Sequence, residues 1–102
     1  MIIVHVTYTV KPTFTEQNQN NIRKVMEELR QHTNSGINYH ACLGADGKTF
    51  MHHAFFRSEE DRKLLNELPA FKRFQEELKA SGPEAPPKQE MLSFIGSSKE
   101  IF

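Results

Sequence analysis

A chain of 102 residues with 37% hydrophobic content, eight Phe, two Tyr and no Trp is expected to form one domain over residues 1–102, of marginal stability unless a partner subunit adds buried surface. Thirteen basic and thirteen acidic residues cancel with no basic block, which argues against a nucleic-acid partner. Cys42 stands alone and cannot form an intrachain disulfide, the N-terminus lacks a secretory pattern, and no apolar run approaches the ~20 residues needed to cross a bilayer, so a cytoplasmic protein with no membrane partner is expected.

Ile2 to Val10 alternates Ile2, Val4, Val6, Tyr8 and Val10 with Ile3, His5, Thr7 and Thr9, which predicts a strand. Pro12 ends it, and Thr13 with Glu16 offers a capping box for a helix from about Thr15 to Gln31. Ile22, Val25, Met26 and Leu29 form the apolar stripe of that helix. His32 suits its C-terminal end, where a cation complements the macrodipole, and Asn34-Ser35-Gly36 supplies the stop. Ile37 to Leu43 is a second strand, with Asn38, His40 and Cys42 on its mixed face. The Asp46-Gly47 turn then leads into a third strand from Thr49 to Phe56. On the third strand the two faces nearly balance: Met51, His53 and Phe55 are assigned to the helix side, and Phe50, His52, Ala54 and Phe56 to the other, with the reverse facing, in which His53 replaces His52 in the cavity, left open. Ser58 to Asp61 is a second capping box. The helix it opens carries Leu64, Leu65 and Leu68, breaks at Pro69, and resumes with Phe71, Phe74 and Leu78 inward until Gly82. A stiff Pro-rich connection and a fourth strand over Met91 to Ile95 follow, and the tail ends in Ile101-Phe102, which needs something to pack on.

The order strand, helix, strand, strand, helix, strand predicts an α+β, ferredoxin-like βαββαβ fold: a four-stranded antiparallel sheet with two helices on one face. The other face is left half apolar and uncovered, so two sheets packed together would make a homodimer. At this point the chain resembles the antibiotic-biosynthesis-monooxygenase-like proteins of the dimeric α/β-barrel superfamily. The resemblance lies in the opening strand Ile2 to Pro12, the segment Lys48 to Phe56 and the helix Leu68 to Phe74. It implies a small homodimer whose sheets enclose a cavity on the face away from the helices. Some members oxidise aromatic substrates with O₂ and neither metal nor flavin, and some degrade haem. The absence of Trp and of any His after His53 argues against the haem-degrading type. Asn66 stands where many relatives carry a His ahead of the second-helix Phe pair.

His5, His40 and His52 would then form a row on the cavity floor, since adjacent strands are ~4.8 Å apart. Three readings of this row stay open. One is a three-His metal site, disfavoured because no carboxylate shares the face to support it. Another is acid–base chemistry with His5 or His52 as catalytic base and Asn38 or Thr7 orienting the substrate. In the third, the histidines bond only one another, a water or a bound apolar ligand. His40, Phe50, Phe56 and Cys42 are the remaining candidates for substrate contact; Cys42 is expected to be a buried, inert thiol, and His53 a satisfied residue on the helix side. The expectation is therefore a small, largely apolar or aromatic ligand and no cofactor. It is held either by a cofactor-independent monooxygenase or by a non-catalytic ligand-binding or stress-response module of the same fold.

Overall fold

Alternating β-branched residues build the inner strand β1 (Ile2–Thr9) in the computed structural model, which describes residues 1–33 and 35–102. A 3-10 turn at Pro12–Phe14 follows, then helix α1 (Thr15–Arg30), strands β2 (Ile37–Leu43) and β3 (Thr49–Phe56), helices α2 (Glu59–Glu67) and α3 (Pro69–Ala80), and strand β4 (Ala85–Leu92). The strands form one antiparallel sheet in the order β2-β3-β1-β4. This is the ferredoxin-like arrangement read from the sequence, with its second helix divided at Pro69 as expected. Val4, Tyr8, Val10, Phe50, Ala54 and Phe56 from the sheet pack against Ile22 and Val25 of α1, Leu65 of α2, Leu68, and Phe71, Phe74 and Leu78 of α3.

The helix ends differ in detail from the sequence reading. Thr13 makes no capping box with Glu16: α1 is preceded by Phe14 with no side-chain cap. Pro12 starts a helical turn early, which places Thr13 inside the 3-10 segment and not in the extended backbone that a cap requires. At α2 the reading holds, with the Ser58 hydroxyl accepting from the Asp61 N–H and donating to its carboxylate. Replacing Ser58 with Ala is expected to cost about 1 kcal/mol, measured as a shift in the urea midpoint.

Asn34, part of the predicted helix stop, lies outside the described residues. Gly36 does not act as a left-handed cap. Instead its N–H donates to the Asp61 carboxylate at 2.9 Å, and a Cβ there would sit 2.5 Å from both Arg57 Cβ and Asp61 Oδ2. Only a residue without a side chain allows that approach. Gly47, at φ +74°, completes the β2–β3 turn. There the Asp46 carboxylate accepts from the Lys48 and Thr49 N–H groups and the Thr49 hydroxyl. The Thr49 hydroxyl, followed by those two N–H groups, holds the Asp46 carboxyl down at about 2.

β4 begins six residues before the predicted fourth strand, taking in Ala85, Pro86 and Pro87 of the Pro-rich run, and ends at Leu92, so Ser93 to Ile95 of the predicted strand lie beyond it. Two features make that possible. β4 is an edge strand, and its pairing with β1 jumps from Thr7↔Lys88 to Thr9↔Ala85, so Pro86 and Pro87 fall in the irregularity where no ladder hydrogen bond is required. The tail also finds its partner: the Asn38 amide donates to the Ile101 carbonyl at 2.7 Å, and the Arg57 guanidinium lies 5.0 Å over the Phe102 ring.

The two faces of β3 are the reverse of the sequence assignment. Phe50, His52, Ala54 and Phe56 are buried on the helix side. His53 pairs in register with His5 and His40 on the outer face. The near-equal apolar content of the two β3 faces hid this, but the neighbouring strand decides it. Val6 on the apolar side of β1 pairs with His52, and side chains directly opposite one another share a face.

Candidate functional site

The consequence of this register is a buried polar chain among aromatic rings. His52 is only 4% exposed. Its Nε2 lies 2.8 Å from the Tyr8 hydroxyl and its Nδ1 lies 2.6 Å from the Tyr39 hydroxyl. The Asn18 amide of α1 donates to the same Tyr8 oxygen at 2.8 Å. Where the Tyr8 hydrogen goes to His52 Nε2, the imidazole N–H sits at Nδ1 and donates to Tyr39, whose own hydrogen is free for another acceptor; the other tautomer reverses both imidazole bonds. Every group in this chain is held neutral. Burial, and to a smaller extent the His5 imidazole, pushes His52 down to about 4. Burial raises Tyr8 against the lesser opposing effect of Asn18, while burial and then the nearby Tyr8 raise Tyr39. The Asn18 carbonyl oxygen is buried without a partner among the described residues.

Tyr8, Tyr39 and His52 form the polar floor of a cavity of about 550 Å³ between the sheet and the α2–α3 pair. That size is within the range of small-molecule sites. Its walls are Val4, Val6, Ala54, Phe56, Leu65, Phe71, Phe74 and Leu78, and its rim carries Arg62, Asn66, Gln75, Lys79 and Gln89 with Pro83, Pro86 and Pro87. A second, more open groove of about 630 Å³ runs between α1 and β2 and includes Asn38, His40, Cys42 and Phe50.

The sequence candidates therefore separate. His52 and Phe56 line the cavity between the sheet and α2–α3, while Phe50 lines the α1 groove instead. His5, Thr7, His40, Asn38 and Cys42 belong to the outer face, as assigned, and none of them lines this cavity; Cys42 is exposed and not the buried thiol expected. The His5 and His53 rings stack there at 4.4 Å with 7° between planes, His40 lies 6.3 Å from His53, and the Thr7 hydroxyl is 3.3 Å from His5 Nε2. Partial burial, then His5 and His40, lowers the His53 pKa. The predicted row of His5, His40 and His52 does not exist, because His53 takes the place of His52. Among the described residues no group of three His, Cys, Asp or Glu is arranged to hold a metal ion.

Sequence reasoning passed over Tyr8, Tyr39 and Asn18. The signal was present: both tyrosines fall on the apolar sides of their strands, where a buried hydroxyl needs a partner. Phe71 and Phe74, read as ordinary core, are cavity walls.

The antibiotic biosynthesis monooxygenase family model matches residues 1–77. The chain belongs to this family. Among solved structures, an antibiotic biosynthesis monooxygenase shares 13% identity over 94% of this chain and 100% of that one, with a TM-score of 0.80. PA3566 from Pseudomonas aeruginosa shares 18% over 93% and 94%, with a TM-score of 0.77. A variant of SnoaB, a cofactor-independent oxygenase from Streptomyces nogalater, shares 14% over 97% of each chain, with a TM-score of 0.66. At these identities the likeness to antibiotic biosynthesis monooxygenase structures establishes the fold. No functionally curated protein matches this sequence.

Proposed function

We propose that this protein binds a small, largely apolar or aromatic molecule in the cavity between the sheet and α2–α3, and acts on it as a cofactor-independent monooxygenase. The observation that carries the reading is the neutral Tyr8–His52–Tyr39 chain on the floor of an otherwise apolar, aromatic-walled cavity. Oxygenation without a cofactor needs an electron-rich substrate anion that can reduce O₂ directly: the substrate gives its proton to solvent, one oxygen atom replaces two substrate hydrogens as a carbonyl and the other leaves as water, so the protein's task is to stabilise the negative charge on a substrate oxygen. Tyr39 is suited to this. It remains protonated, and in the tautomer with the imidazole N–H at Nδ1 the bond it accepts from His52 strengthens its own O–H as a donor. His52 then acts through Tyr39 and not as a free base: charging an imidazole held near 4 instead of its ordinary value costs about 3 kcal/mol. SnoaB, a cofactor-independent oxygenase of the same fold, supports the reaction class.

His5, with Thr7, His40, Asn38 and Cys42, belongs in this reading to the interface of a homodimer formed through the outer sheet face. The exposed Leu92, Phe94 and Ile95 favour such association. The second functional reading, a ligand-binding module without turnover, draws on the same cavity and is separated by conversion alone. Native mass spectrometry of freshly purified protein is expected to give a dimer releasing a small organic molecule on activation, with no metal increment. Aerobic incubation with that molecule should add oxygen to it. A stable monomer would sink the interface, and binding without oxygen consumption would leave only the module.

A further inference from the structure

The cavity that the proposed function uses has a charge asymmetry, and the inference drawn from it rests on that reading. Arg62 of α2 and Lys79 of α3 both line the cavity, and no Asp or Glu does. In a chain with equal numbers of acidic and basic residues, an exclusively cationic lining is a local feature. Among the described residues the ion pairs are Lys48–Glu84 and Arg73–Glu77, so neither Arg62 nor Lys79 is neutralised within the fold. Arg62 is half-buried, and its side chain has no hydrogen-bond acceptor among the described residues. A partly desolvated guanidinium with five unspent N–H donors is the usual partner of a planar oxyanion. In the same cavity Phe71 and Phe74 supply flat apolar surface.

We infer that the cavity selects aromatic molecules bearing an oxyanion, a carboxylate or an ionised phenol, with Arg62 as the specificity-determining residue and Lys79 as a second, more exposed cation. The ring system lies against Phe71 and Phe74 over the Tyr39–His52 floor, and the acidic group faces the rim. Arg62 contributes to orientation as well as affinity: a bidentate contact fixes the plane of the acidic group, and with it which edge of the ring meets the Tyr39 hydroxyl.

The test uses a matched pair of probes, naphthalene-2-carboxylate and the uncharged naphthalene-2-carboxamide, titrated calorimetrically at pH 7.5. The expected result is that the carboxylate binds about tenfold tighter at low salt, and that this advantage shrinks as salt is raised. It should fall below about threefold in Arg62→Gln/Lys79→Gln, while the neighbouring exposed-lysine control Lys63→Gln retains it. Equal affinity of the two probes for the unaltered protein would overturn the inference and leave the cavity reading standing. A carboxylate preference that survives the double substitution would also overturn it, since the anion would then be held elsewhere. Absence of binding by either probe would remove the cavity reading and this inference together. Should the double variant fail to fold, the unaltered protein's probe pair and its salt series still decide the question.

Discussion

His52→Ala is expected to destabilise the fold by about 2–4 kcal/mol and to lower turnover by at least ~10²-fold. The stability loss has two sources. Removing a buried imidazole enlarges the cavity floor, and it strips the Tyr39 hydroxyl of the 2.6 Å partner that satisfies it; Tyr8 keeps its bond from Asn18. Tyr39→Phe separates structure from chemistry. It removes one hydroxyl and no ring, so its stability cost should be nearer 1 kcal/mol, while its effect on turnover should approach that of His52→Ala if His52 works through Tyr39. Urea denaturation and oxygen-consumption assays on the two variants make the comparison. A Tyr39→Phe variant with undiminished turnover would show that the chain is structural only, and a fully stable His52→Ala would show that it is not even that.

The same chain explains which parts of the molecule were legible beforehand. Element order follows from local signals: β-branched alternation in Ile2 to Val10, the Asp46-Gly47 turn, and Pro69 splitting the second helix. The topology followed from that order. Facing on β3 did not, because His52 and His53 are chemically identical and their flanking residues nearly balance in hydrophobicity. Only pairing with Val6 decides which imidazole enters the core. The extent of β4 was hidden for a related reason. Pro86 and Pro87 read locally as a connection, and their tolerance depends on an edge position and a register irregularity opposite Thr7 and Thr9. The site was legible as chemistry and not as place. Histidines and aromatic residues on the strands pointed to a cavity, but its location between sheet and helices emerges only when Tyr8 and Tyr39 from two strands close on one imidazole and Asn18 of α1 holds the Tyr8 hydroxyl.

That convergence makes stability depend on pH in a defined window. His52 is held near 4 in the fold and returns to an ordinary value of about 6.5 on unfolding. Above pH ~6.5 it is neutral in both states and contributes no slope. Between ~6.5 and ~4 the unfolded chain takes up a proton that the folded chain refuses, so stability falls as pH falls, by up to about 1.4 kcal/mol per unit and about 3 kcal/mol in total. Below ~4 the folded state also binds the proton and this contribution levels off. His53, likewise lowered, adds in the same direction. Asp46, held at about 2, acts only below its ordinary carboxylate range and so lies outside the window. Unfolding free energies measured at pH 7.5, 6.5, 5.5 and 4.5 should therefore decline most steeply between the last three, and His52→Gln should flatten most of that decline, because an amide takes up no proton. Parallel pH profiles for the two proteins would mean that the imidazole is solvated or already charged in the fold, and the neutral chain on the cavity floor would have to be abandoned as the basis of the site.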